Sequence, residues 1–209
     1  MDEIVVEPYD PTWPAQFADE QRFIARCFAE AGCCVIDSDK QVKAAYRDPR
    51  ILRTLREWWC DEAFLENGEI NRSFVADTIF ADAAQRVRLE QLLHPWVNDA
   101  RRREMADAAK DASILAFVWD TPLLFEAGLA GECDFVVFID VPADIRLQRV
   151  AHSRGWDEVE LKRREKLQWP LYKKREISDY VLSNTADAAS VRDQVREIIP
   201  RILAQIAQR

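Results

Sequence analysis

Three apolar runs of this chain each end in aspartate. Residues 33–36 (Cys-Cys-Val-Ile) lead into Asp37-Ser38-Asp39, residues 113–119 into Asp120, and residues 135–139 into Asp140. A carboxylate at the end of a buried strand can hold Mg²⁺ through oxygen or take a proton from a hydroxyl. Its plainer role is to cap the helix that follows, which aspartate does well. One such residue alone favours the cap. Asp37, Asp39 and Asp120 together, at ends of strands that share an edge, favour chemistry.

Other groups stand out by type and spacing. Lys162, Arg163, Arg164, Lys166, Lys173, Lys174 and Arg175 form a basic stretch of the kind a polyphosphate needs. Glu158, Glu160 and Glu165 interleave with it, which fits a solvated helix face, and composition leans that way. Thr121-Pro122-Leu123-Leu124-Phe125-Glu126 follows the second run and fits either an apolar ligand lining or a buried connection. His94 precedes Pro95, and a packed, hydrogen-bonded histidine is the simpler reading. Two histidines give a Ser-His-Asp or Cys-His mechanism little to build on. Five cysteines without a C-x-x-C show no metal-ligand spacing and read as reduced thiols, so no protein-ligated metal is expected.

The elements that must position these groups follow from periodicity. Residues 3–6 read as a short strand and 9–14, with two prolines, as a turn. A helix over 15–31 places Ile24, Cys27, Phe28 and Ala31 on one face and stops at Gly32. The stretch 40–103 reads as helical, with Leu89, Leu92, Leu93, Trp96 and Val97 on one side and Pro95 expected to bend it. A weak last strand covers 180–182. Val191, Val195, Ile198, Ile199, Ile202 and Ile206 line a final helix that contains Pro200. Short strands that are apolar throughout and alternate with helices mean an α/β fold with a parallel sheet covered on both faces.

The chain has 209 residues, 48% hydrophobic and 32% charged, which suits one domain with an insertion and excludes disorder as the main state. A net charge of −8 argues against a nucleic-acid partner. No apolar run approaches the length of a membrane span. The opening lacks a charged-then-apolar leader, so a cytoplasmic location is expected.

Several segments resemble the dephospho-CoA kinase family. They are Val35-Ile36-Asp37-Ser38-Asp39, Glu69-Ile70-Asn71-Arg72 with Ile79-Phe80, Leu89-Glu90-Gln91-Leu92-Leu93-His94-Pro95, and Asp120 through Gly128 (D-T-P-L-L-F-E-A-G). Arg154-Gly155, Gln168, Lys174, Asp179 and Asn184 fit the family's closing part. The resemblance implies a three-layer P-loop fold of the nucleoside-monophosphate-kinase type over 1–209. A helical CoA-side insertion would span 40–110 and a lid 150–178. It also implies transfer of the ATP γ-phosphate to the ribose 3′-hydroxyl of dephospho-CoA, with Mg²⁺ as cofactor and no membrane or nucleic-acid partner. Asp39 would then be the general base, Asp120 would sit near metal and phosphates, and Arg154 with Arg149 would stabilise the transferring group. Asp37, Arg72, His94, Phe125 and Glu126 would line the acceptor side. Arg149, Lys174 and Asn184 would meet ATP, Asn184 near the adenine.

The family pattern also implies a Walker A loop, G-x-x-x-x-G-K-[ST], which counts back onto residues 15–22. Here those residues are Ala-Gln-Phe-Ala-Asp-Glu-Gln-Arg, with Ala15 and Glu20 at the glycine positions, Gln21 at the lysine and Arg22 at the hydroxyl. No glycine precedes Gly32. A cradle of backbone N–H groups needs those glycines, and Asp19 and Glu20 would repel phosphate. Each charge-assisted hydrogen bond lost is worth about 1.5–3 kcal/mol, so weakened ATP and Mg²⁺ binding is expected. The opening 4–17 (IVVEPYDPTWPAQF) resembles the start of the GrpB family, a nucleotidyltransferase-like fold, with no activity implied by so short a stretch. Three readings stay open: an active dephospho-CoA kinase, an inactive relative that binds a CoA-like ligand or a partner, and another nucleotide kinase of the same fold, which the D-T-P-L-L-F-E segment disfavours.

Overall fold

Backbone hydrogen bonds join the described strands into one twisted sheet. The computed structural model describes residues 3–7, 15–121, 123–166, 168–185 and 187–208, with side chains from Phe23 onward except those of Ser153 and Arg154. The strands are β1 (Glu3–Glu7), β2 (Cys33–Asp37), β3 (Ala116–Asp120), β4 (Phe135–Asp140) and β5 (Tyr180–Ser183), in the spatial order β2-β3-β1-β4-β5. β1 pairs parallel with both β3 and β4, and β4 with β5. The register sets Val6 opposite Asp120 and Asp140 opposite Ser183. The runs ending in aspartate are therefore strands, each including its terminal acid.

The chain divides into two compact units: Met1–Ile36 with Ala108–Arg209, and Asp37–Asp107. In the first unit, helix α1 (Ala15–Glu30) buries Ile24, Cys27 and Phe28 on one face. It stops at Gly32, whose φ of +87° and whose distance of 3.1 Å from an added Cβ to Leu115 both call for glycine. Residues 15–22, where the family pattern would place its phosphate loop, form the first half of α1, as the helix expected over 15–31 requires. They lack glycine and proline and contain alanine, glutamine, glutamate and arginine, which favour helix. Residues 8–14, between β1 and α1, lie outside the described residues and make up half of the GrpB-like stretch 4–17.

The final helix of this unit buries Val191, Val195, Ile198, Ile199 and Ile202 against Phe28, Val118, Val137 and Leu182. Pro200 lies inside this helix without ending it. At the sheet's edge, the Gln194 amide accepts from Ser183 N (2.8 Å) and donates to Ser183 O (3.0 Å), closing the last rung of β5 with a side chain. A smaller cluster joins Val150 and Leu161 with Leu147, Trp156 and Leu171.

In the second unit, α2 (Ser38–Ala45), α3 (Pro49–Trp59), α4 (Arg72–Ala81) and most of α5 (Ala83–Ala108) pack around Ile51, Leu55, Trp59, Leu89 and Leu93. Asp48 caps α3 through Arg50 N (2.8 Å) and accepts from Trp96 Nε1 (2.8 Å), tying the start of α3 to α5. The Arg50 and Trp96 hydrogen bonds hold its carboxyl well below the usual carboxylate range. Pro95, expected to bend or break its helix, sits inside an unbroken α5. Proline removes one N–H, while Leu89, Leu93 and Val97, buried at i, i+4 and i+8, hold both halves in place. Among the described residues no helix is long and apolar enough to cross a membrane, and none of the five cysteines forms a disulfide.

The packing of the final helix makes a direct test. Ile202 is fully buried and Arg201 exposed. Ile202→Ala should cost about 2–5 kcal/mol in urea unfolding followed by tryptophan fluorescence, and Arg201→Ala within about 0.5 kcal/mol.

Candidate active site

The candidate residues fall into two groups, one in each unit. In the second unit, Asp37 ends β2 and caps α2: its Oδ1 accepts from Lys40 N at 2.8 Å. Asp39 lies in the first turn of α2, where the helix dipole favours an acid. The residue is exposed, yet the surrounding protein deprives its carboxyl of part of its hydration. That loss of hydration raises its pKa, as does the Asp37 charge, while Lys43 and Arg72 act in the opposite sense. Such a carboxylate is more basic than an ordinary aspartate, which suits the abstraction of a hydroxyl proton.

Arg72 is the first residue of α4, whose cap Asn71 accepts from Phe74 N at 3.2 Å. Burial pushes the Tyr46 hydroxyl up to about 12 against the opposing Arg72 charge, so it remains a donor at neutral pH. His94 is exposed on α5. Lys43 and Tyr46 were not singled out by sequence pattern. Lys43 lies in the last turn of α2, and Arg47 in the turn that follows its cap Tyr46.

In the first unit, Asp120 ends β3, half-buried, beside the exit of β1. Thr121 is buried behind it. Residues 123–128 then coil into a tight turn, with Ala127 N on Leu123 O (2.8 Å) and Leu129 N on Leu124 O (3.0 Å). Gly128, at φ +71°, closes that turn. The turn buries Leu124 and Phe125 and aims Glu126 at a segment far along the chain. Glu126 Oε1 lies 2.9 Å from Lys174 Nζ and accepts from Trp169 N at 2.7 Å; its Oε2 accepts from Lys174 at 3.2 Å. Phe125 stacks on Trp169 with ring centroids 6.0 Å apart. Lys174 is only 2% exposed and lies in α8 (Leu171–Ile177). Glu126 and Lys174, expected on opposite substrates, are thus each other's partners here, and an ammonium this buried needs such a partner.

The rest of the basic stretch is also largely engaged with carboxylates. Lys162 pairs with Glu158 (2.6 Å), Arg163 (2.8 Å) and Arg164 (2.7 Å) with Glu160, and Arg175 with Asp140 (3.6 Å). The Arg163 and Arg164 hydrogen bonds lower the Glu160 carboxyl to about 2. Arg149, buried on α6 (Ala143–Arg154), donates to Asn184 Oδ1 at 3.4 Å, so these two candidates meet. The Arg154 side chain lies outside the described residues. Among the described residues no group of three His, Cys, Asp or Glu could hold a metal. A Mg²⁺ held by one carboxylate and substrate phosphates needs no such cage.

A family model described as Dephospho-CoA kinase matches residues 20–190. The chain belongs to the dephospho-CoA kinase family. The dephospho-CoA kinase of Syntrophotalea carbinolica is 33% identical, over 86% of this chain and 85% of its own. That of Agrobacterium fabrum is 32% identical over 85% and 90%. In fold, the chain matches TT1252 from Thermus thermophilus with a TM-score of 0.76 at 23% identity, covering 96% and 97% of the two chains. It matches the Campylobacter jejuni dephospho-CoA kinase with 0.67 at 18% identity, covering 98% of each. The family match takes in Asp39, Asp120, the turn at 123–128 and Asn184, and starts at residue 20, past β1 and the opening of α1.

Two measurements probe this geometry. In an NMR titration the Asp39 carboxyl should protonate above the ordinary aspartate range. Asp37→Asn, which keeps a capping oxygen, should move that midpoint down, and Arg72→Gln should move it up. For the buried pair, Glu126→Ala should cost about 3–5 kcal/mol in chemical unfolding because it strands the Lys174 ammonium. The double variant Glu126→Ala/Lys174→Met should recover much of that loss.

Proposed function

We propose that this chain transfers the γ-phosphate of ATP to the ribose 3′-hydroxyl of dephospho-CoA, in the cytoplasm. The observation that carries this reading is Asp39, a family-matched carboxylate in the first turn of α2 whose proton affinity its surroundings raise. Asp39 takes the hydroxyl proton as the 3′-oxygen attacks the γ-phosphorus, and ADP leaves with the bridging oxygen. Asp120 would hold Mg²⁺ together with the phosphates; when bound, the ion offsets phosphate charge. Arg149 and Arg154 stabilise the transferring group, and Asn184 faces the adenine while holding Arg149. Asp37, Arg72, His94 and Phe125 line the acceptor side. Residues 150–178 act as the lid, held to the turn after β3 through Lys174 and Glu126.

One observation favours a second reading, an impaired relative that binds the acceptor but grips ATP poorly. Residues 8–22 contain neither glycine nor lysine, and from residue 15 the backbone is helical. Amides engaged in helix hydrogen bonds do not wrap a triphosphate.

A coupled assay of ADP release with ATP, Mg²⁺ and dephospho-CoA decides between the two. The kinase reading expects CoA as product and a loss of about 10²–10⁴-fold in kcat for Asp39→Asn. Release at background, with dephospho-CoA binding in calorimetry and ATP not binding, would overturn it in favour of the second reading.

A further inference from the structure

Within the second unit lies a concavity of about 330 Å³ that three cations, Lys43, Arg47 and Arg72, help to line. Its remaining wall includes Tyr46, Leu65 and Ile70, and one carboxylate, Glu69. Three positive groups against one negative leave a formal +2 in a chain whose total is −8. Glu69 is engaged locally: its Oε2 accepts from Asn67 Nδ2 at 3.2 Å. Among the described residues no carboxylate forms an ion pair with Lys43, Arg47 or Arg72, whereas Arg50, Arg56 and Lys162 each have one.

The needs of the fold do not explain this cluster. Lys43 in the last turn of α2 complements the helix dipole, but Arg72 opens α4, where that helix end is already positive and a cation is misplaced. Arg47 is exposed and caps nothing. A pocket that gathers unpaired cations around a phenol donor suits an anion with several oxygens. Guanidinium groups meet such oxygens in pairs. A volume of about 330 Å³ is at the lower end for small-molecule sites, enough for a charged bridge with its flanks but not for a whole nucleotide conjugate. Lys43 and Arg72 also act electrostatically on Asp39, which relates the pocket to the proposed base.

We propose that the Lys43–Arg47–Arg72 pocket holds the diphosphate bridge of the acceptor, with the two arginines gripping its oxygens and Lys43 as a point charge beside them. This assignment rests on the acceptor being dephospho-CoA. It makes Lys43 and Arg47 determinants of acceptor affinity, and it implies selection for ligands with a diphosphate bridge over plain nucleosides.

The test is calorimetric binding to the full chain of dephospho-CoA, adenosine and ATP, for the wild type and for Arg47→Gln, Lys43→Gln and Arg47→Lys. Melting temperatures confirm that the variants fold. Arg47→Gln should weaken dephospho-CoA by about tenfold or more and leave adenosine and ATP as they were. Arg47→Lys should restore only part of the loss, because it returns the charge without the fork. Unchanged dephospho-CoA affinity in both glutamine variants overturns the proposal, as does an equal loss for adenosine. Binding is read without turnover, so the two conclusions fail separately. Acceptor binding that is sensitive to Arg47 in a chain that makes no CoA sinks the kinase reading alone. CoA formation with affinity insensitive to Arg47 and Lys43 sinks this assignment alone. A wild-type chain that binds no dephospho-CoA sinks both.

Discussion

The carboxyl ends of β3, β1, β4 and β5 emerge at one edge of the sheet because their hydrogen bonds run in parallel register, and the chemistry of the first unit hangs from that edge. β1 holds the central position between β3 and β4, with Val6 opposite Asp120. Open sheets of this kind bind ligands where the strand order reverses. The buried Val118, Val137 and Leu182 fix which way each strand faces. A slip of one residue in register would carry each side chain to the opposite face of the sheet and move the acids along the edge.

Much of this was legible in local pattern. The spacing of Val191, Val195, Ile198 and Ile202 marks a one-sided helix, and the terminal acids mark strand ends. The runs were recognisable because both faces of the sheet are covered, leaving each strand apolar throughout. Where long-range packing outweighs a local rule, the pattern misleads. Pro95 breaks no helix because Leu89 and Leu93 before it and Val97 after it are buried and outweigh one missing hydrogen bond. The pairing of Glu126 with Lys174 spans 48 residues and has no local signature, so sequence pattern alone does not reveal it. Residues 15–22 are legible from their own composition: free of glycine and proline, they read as helix and are helical in the backbone.

The charge distribution separates structural ion pairs from other cations. On α7 (Glu158–Glu165) and α8 the basic groups meet carboxylates three or four residues away or across a turn, the ordinary way to carry charge on an exposed helix. Around Asp37 and Asp39 no such neutralisation occurs. Two acids sit within two residues of each other, and the cations that act against the Asp37 charge on Asp39 come from the far end of α2 and the start of α4.

The Gln194 amide at the end of β5 has a consequence for the chain among its own copies. An outer strand with unsatisfied donors and acceptors is a template on which a second molecule can add a strand, the first step towards fibrous aggregates. Here the Ser183 N–H and carbonyl are both taken by one side chain from the flanking helix, so the last rung offers an incoming strand no grip. At that one rung a single amide does the work that a charged or proline-bearing border does elsewhere.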